Sequence, residues 1–231
     1  MPSLYGLKHW YTRRLTFLIN ASVRRGISPD VWTIAGVVAG ALGAGAVAMG
    51  WWPLAFLLLA ARLGGANLDG AVARARGVSR PFGFVLNEIG DRASDFLMMA
   101  GLVGLGLRTG ASHATVCLVL VAALAATLPT FISLSAAGAG APRLNGGPLG
   151  KTERCLIAVV ASAVPSWLAP IAWLLIAGSL LTAGVRLARA HRLLPTPGGQ
   201  AVASAQPGAA GAQAPQPPQT GQDLRAAGPR A

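Results

Sequence analysis

Acidic side chains are scarce in this chain: Asp and Glu number seven against nineteen Lys and Arg, and charged residues of both signs make up only 11% of 231 positions. Soluble domains carry about 25% charged residues, so this shortage, beside 53% hydrophobic content, excludes an ordinary water-exposed fold and points to a membrane. Cysteine is scarcer still. Cys117 lies inside one apolar run and Cys155 opens another, without the number or spacing of a disulfide framework or a zinc site, so both read as packing residues. The three histidines, His9, His113 and His191, fall at interfaces or in a loop, where solvent or headgroup contact is expected rather than ligation. The formal charge of +12 invites a nucleic-acid reading, but the basic residues occupy short gaps between apolar runs instead of gathering on a soluble face. No nucleic-acid partner is expected.

What is present is a series of long uncharged runs. Val31 to Gly50 holds no charged residue, about the length a 30 Å hydrocarbon core requires at 1.5 Å per residue. Trp51, Trp52 and Pro53 make an interfacial turn, and a second span runs from Leu54 through Ala61 to Arg62. The third mirrors it: Phe96 to Leu107 is apolar, while the preceding turns carry Asn87, Glu88, Asp91, Arg92 and Asp95. A fourth lies between Ala111 and Ala137. The uncharged stretch Cys155 to Val185 is too long for one helix and is broken by Pro165, Ser166, Trp167 and Pro170, which splits it into a fifth and a sixth span.

Before the first span, Leu4, Leu7, Tyr11, Leu15, Leu18 and Ile19 recur at helical spacing with Lys8, Arg13 and Arg14 between them, the pattern of an interfacial amphipathic helix over residues 4–22. Residues 1–30 lack a continuous apolar core, so no cleavable signal peptide is expected and the first span serves as the insertion signal. From Leu194 onward the chain is Pro, Ala, Gln and Gly, a composition expected to stay disordered. The expected fold is all-α: an N-terminal segment (1–30), a six-helix membrane bundle (31–193) and a tail (194–231).

Basic residues orient the bundle, since short cytoplasmic loops retain Lys and Arg. With six spans, Arg74, Arg76 and Arg80, then Arg143, Lys151 and Arg154, then Arg186, Arg189 and Arg192 share the N-terminal side, and only Arg108 falls opposite. A cell-membrane location is therefore expected, with both termini and the polar cluster on the cytoplasmic face.

Ionisable groups near membrane depth cost a few kcal/mol each and mark sites unless they are paired for structure. Asn87, Asp91 and Asp95 recur every four residues and Glu88 stands three before Asp91, so one helical face carries three carboxylates. Such a face needs positive compensation, either a divalent cation held by hard oxygen ligands or the nearby Arg62, Arg74, Arg76 and Arg92. Gly70 follows Asp69 and Gly83 precedes the acidic helix, where a missing side chain permits close approach of a ligand, and that helix N-terminus attracts phosphate.

The register Asp69-Gly70, Ala73-Arg74, Gly83 and Asp91 resembles the signature of the CDP-alcohol phosphatidyltransferases, Asp-x2-Asp-Gly-x2-Ala-Arg-x8-Gly-x3-Asp-x3-Asp. The similarity extends to Ser28-Pro29-Asp30 and Thr33, to Gly150-Lys151 and to Arg186, over about residues 25 to 190. Two family acids are absent: Ala66 stands at the first acidic position and Asn87 at the third. The run Leu86-Asn87-Glu88-Ile89-Gly90-Asp91 with Ser94-Asp95 looks like a variant branch with its own pattern.

The resemblance implies a membrane transferase of phospholipid biosynthesis that moves a phosphatidyl or related phosphoalcohol group from a CDP-linked lipid to an alcohol acceptor, releasing CMP. It implies a magnesium or manganese ion (Mg2+ or Mn2+) held by Asp69, Asn87 and Asp91, with Glu88 and Asp95 able to restore charge, and Asp91 as base. It also implies a nucleotide and diphosphate site at Thr33, Gly70, Arg74 and Gly83, an acceptor-phosphate grip at Lys151, Arg154 and Arg186, and a homodimer. Positive-inside retention explains the last three basic residues equally well. The rival readings are a catalytically silent CDP-lipid-binding relative or membrane partner, motivated by Ala66 and Asn87, and a small transporter, disfavoured because the polar residues cluster at one face.

Overall fold

The computed structural model describes residues 14–194, and among them every regular element is a helix. Seven α-helices follow in order: α1 (Thr16–Arg24), α2 (Pro29–Ala48), α3 (Trp52–Ala75), α4 (Pro81–Arg108), α5 (His113–Gly138), α6 (Lys151–Ala163) and α7 (Leu168–Leu193), with a 3-10 turn at Pro165–Trp167 before the last. Local sequence sets the boundaries. Ser28 caps α2, its hydroxyl accepting from Asp30 N (3.4 Å), and Ser112 caps α5 by accepting from Thr115 N (3.2 Å). Prolines open α2 and α4 at positions where no helical donor is lost. Gly50 (φ 73°) and Gly110 (φ 70°) end α2 and α4 in the left-handed region that a Cβ disfavours.

Four of these stretches, Pro29–Ala48, Trp52–Ala75, His113–Gly138 and Pro165–Leu193, are long and apolar enough to cross a membrane. They match the first, second, fourth and sixth expected spans. The other two differ for a visible reason. The third is one 28-residue helix, α4, whose first half is polar, and the fifth is α6, only 13 residues long. The break between the fifth and sixth falls at Pro165–Trp167 as the prolines indicate. Of the amphipathic helix expected over residues 4–22, only the end is described, where α1 runs to Arg24; residues 4–13 and the tail beyond Leu194 lie outside the described residues.

Helix α2 is built to be approached. It packs chiefly against α3 and α4, and its buried positions are nearly all small: Gly36, Ala39, Gly40, Gly43 and Ala44. A Cβ added to Gly65 of α3 would stand 2.7 Å from both Gly36 Cα and Trp32 O, and one at Gly101 of α4 would stand 2.6 Å from Ala44 O. Backbones thus touch at the crossings, the device by which helices associate where no water drives them together. Helix α5 packs mainly on α7, and α6 lies between the two groups, contacting α3, α4 and α7. The apolar core gathers Leu59, Met98, Leu102, Leu105, Val119, Ala158 and Leu175. Cys155 is buried in it, whereas Cys117 is exposed on α5 and packs no core.

Polar bonds fix the connections. Arg76 Nη1 donates to Ile27 O (2.6 Å) and Gly26 O (3.1 Å), joining the α1–α2 turn to the end of α3. The α5–α6 connection is held where Ser133 Oγ donates to Leu144 O (2.7 Å) and Leu149 N donates to Thr182 Oγ1 (3.0 Å).

Gly65→Ala forces α2 and α3 apart and is expected to cost about 1–3 kcal/mol, as overpacking does. Gly45, within the same contact helix but with nothing within 4 Å of an added Cβ, should tolerate alanine or gain up to about 1 kcal/mol of helix propensity. Thermal unfolding in detergent, followed by tryptophan fluorescence, checks both.

Candidate active site

The α2–α3 crossing sets the first functional contact. It brings Thr33 of α2 against Asp69 of α3, where Thr33 Oγ1 donates to Asp69 Oδ2 at 3.0 Å, and Gly70 N donates to Asp69 Oδ1. Both residues are buried. Asp69 opens on a cavity of about 520 Å³ formed by the start of α2, the end of α3 and the first turns of α4. All four expected nucleotide-site residues, Thr33, Gly70, Arg74 and Gly83, line it together with Asp69 and Asn87.

Arg74 is exposed and makes no ion pair among the described residues, and its guanidinium lies over Gly70, where an added Cβ would come 3.2 Å from Nη1. The missing side chain at Gly70 therefore leaves room for the arginine. Arg76 and Arg80 share the lining, and Arg80 is ion-paired with Asp30 at its edge. The cavity thus presents several guanidinium groups around one deep carboxylate.

Behind it lies a second, denser arrangement on α4. Asp95 receives Arg62 Nη2 on Oδ1 (2.9 Å), and on Oδ2 it receives Arg92 Nη1 (3.1 Å) and Arg154 Nη2 (3.3 Å). Arg62 is only 1% exposed, and its Nη2 also approaches Asp91 Oδ1 (3.9 Å) and Asp91 O (3.5 Å). Lys151, the first residue of α6, pairs with Asp91, and Arg143 of the α5–α6 connection pairs with Glu88 while lying over the Phe84 ring at 4.9 Å. Glu88 also faces Arg92 at 3.7 Å. Asp91, Glu88 and Asp95 are each met by a protein cation, whereas Asp69 is met by neutral donors.

The expected acceptor residues separate. Lys151 is half-exposed beside Asp91. Arg154 is 3% exposed and lies between Asp95 and Leu149 O. Arg186 donates through Nη1 to Pro129 O (2.7 Å) and through Nε to Gly146 O (3.0 Å), bridging α5, the α5–α6 connection and α7. Sequence spacing offered no sign of the Asp91–Lys151 pair, sixty residues apart, or of Arg143 as a partner for Glu88. Arg143 and Arg80 carried only a loop-charge signal, and Asp30 only its place in the Ser28-Pro29-Asp30 resemblance.

Whether this site suits a divalent cation is a matter of donor chemistry. Asp69 and Asn87 offer hard oxygen atoms to the cavity, as such an ion requires, but among the described residues no three acidic, His or Cys side chains converge on one point. Asp69 and Asn87 would offer such an ion one charged and one neutral oxygen donor.

These features define a multi-pass helical membrane protein with an arginine-lined cavity over one buried carboxylate, Asp69. The chain belongs to the CDP-alcohol phosphatidyltransferase family, whose model matches residues 27–185, and it is an enzyme of that class. It is similar to a phosphatidylinositol phosphate synthase of Mycobacteroides abscessus (32% identity, covering 78% of this chain and 84% of that protein) and to one of Mycolicibacterium smegmatis (29%, 77% and 82%). The Mycobacterium tuberculosis phosphatidylinositol phosphate synthase with CDP-DAG bound superposes with a TM-score of 0.66 at 28% identity, covering 80% of this chain and 96% of that one. The same enzyme in complex with manganese and citrate gives 0.63 at 28% identity, with 78% and 89% covered.

Breaking the interior pairs separates structural from surface charge. Asp95→Ala leaves Arg62 and Arg154 uncompensated in the bundle and is expected to destabilise by about 3–5 kcal/mol. Asp30→Ala, which removes an exposed pair with Arg80, should cost no more than about 1 kcal/mol. Unfolding midpoints in one detergent compare the two.

Proposed function

We propose that the chain transfers the phosphatidyl group of CDP-diacylglycerol, or a related CDP-activated phosphoalcohol, to a hydroxyl of a phosphorylated polyol and releases CMP, a step of phospholipid biosynthesis. One observation carries this reading: a single cavity gathers Thr33, Asp69, Gly70, Arg74, Gly83 and Asn87. Arg74 pairs with the diphosphate, and the first turns of α4 present helix-terminal amides to it. Gly70 and Gly83 leave space for the nucleotide, and Thr33 holds the Asp69 carboxylate in place for its ligand.

Asp69, with Asn87, would hold magnesium or manganese, while Asp91 stands paired with Lys151; Glu88 and Asp95, engaged by arginines, keep the α4 face in position. When bound, the ion neutralises charge on the donor's diphosphate. Asp91 accepts the proton of the acceptor hydroxyl as that oxygen bonds to the β-phosphorus and the bond to the CMP oxygen breaks. Positioning and charge neutralisation supply most of the rate.

Lys151 and the partly exposed Arg186 receive the acceptor phosphate, with Arg154 behind them. The names of the relatives make inositol phosphate the first acceptor to try. The membrane arrangement consistent with the charges is six crossings, with α4 and α6 completing the four long apolar helices and both termini on the cytoplasmic side.

Purified protein given CDP-diacylglycerol, manganese or magnesium and inositol phosphate should release CMP. Asp91→Asn should lower the rate by about 10²–10⁴-fold, the usual worth of a positioned base. CMP release unchanged in Asp91→Asn removes the base assignment, and none from wild type with any phosphorylated polyol removes that class of acceptor.

A further inference from the structure

We infer that Lys151 is a built-in cation of the reaction centre: its ammonium group holds Asp91 and takes the place that a second divalent ion would occupy, so the chain binds one such ion. The inference deepens the transferase reading and rests on its assignment of Asp69 to a metal.

Three observations carry it. The first is the distribution of charge. Of the four acids in the cluster, only Asp69 meets neutral donors, a hydroxyl and an amide, while Glu88, Asp91 and Asp95 each meet a guanidinium or ammonium group. A carboxylate already paired with a fixed cation attracts another weakly, because the resident charge repels the newcomer and must be displaced before it binds.

The second is that Lys151 is anchored at its base. It opens α6 directly after a connection tied to α5 and α7 through Ser133, Thr182 and Arg186. Its backbone is fixed where the side chain reaches α4, and the half-exposed ammonium faces a carboxylate of lower exposure. A flexible surface lysine has no comparable hold.

The third is the ligand count. Ala66, one helical turn before Asp69, has no donor atom, and Asn87, one turn before Asp91, offers a neutral oxygen. A second cation between Asp69 and Asp91 would find two anionic side chains, one of them occupied by Lys151, and among the described residues no third. The ammonium group supplies positive charge there without asking for further ligands.

The test counts metal rather than turnover. The full chain in detergent is titrated with Mn2+ while free Mn2+ is read by electron paramagnetic resonance, with elution volume on size exclusion as the check of folding. Wild type should bind one ion per chain. Lys151→Met should bind the ion at least tenfold more tightly or take up a second, and Lys151→Arg, which keeps the charge, should behave as wild type.

Two ions per wild-type chain, none in either wild type or Lys151→Met, or unchanged or weaker binding in Lys151→Met would each overturn the inference. CMP release from CDP-diacylglycerol is followed on the same samples. The expected Mn2+ counts without CMP remove the transferase reading and leave the Lys151 assignment standing; CMP with two ions per chain does the reverse.

Discussion

The contact between Gly36 and Gly65 is the constraint from which the site follows. With no side chain at either position, α2 and α3 approach until Cα and carbonyl atoms nearly touch, and at that separation Thr33 reaches Asp69. A side chain at Gly65, whose Cβ would stand 2.7 Å from backbone atoms of α2, forces the helices apart and weakens the Thr33 bond to a buried carboxylate. Close helix packing and the polarity of the site are therefore one feature.

A second constraint runs along α4. Its carboxylates at 88, 91 and 95 lie on one face, and each finds a cation from the part of the chain after α5: Arg143, Lys151 and Arg154. Arg62 of α3 reinforces the deepest of them. Buried pairs of this kind add little net stability compared with apolar packing, but they penalise any arrangement that leaves one partner alone. Their effect is to specify how α6 docks on α4, which in turn sets where Lys151 stands.

Much of this was legible in the sequence because membrane residence restricts what a chain can do. Uncharged runs had to be helices, and the break at Pro165 to Pro170 had to separate two of them. The cavity lining was legible from the register of Asp69, Gly70, Arg74, Gly83 and Asn87, since spacing along two consecutive helices carries over into space. Contacts distant in sequence were not. Arg154 lies between Asp95 and Leu149 O, and Arg186 bridges two carbonyls, partners that no spacing announced. Loop charge alone does not distinguish a cation that faces water from one turned inward.

The three pairs along α4 differ in depth. The side chains of Arg143 and Lys151 are 35% and 39% exposed, while that of Arg154 is almost wholly enclosed. Dissolved ions screen exposed charges within about a Debye length and scarcely reach enclosed ones. The joint between α4 and the later helices is therefore graded like a zip: rising ionic strength loosens it from the rim, and the innermost pair acts as the stop that keeps the helices in register.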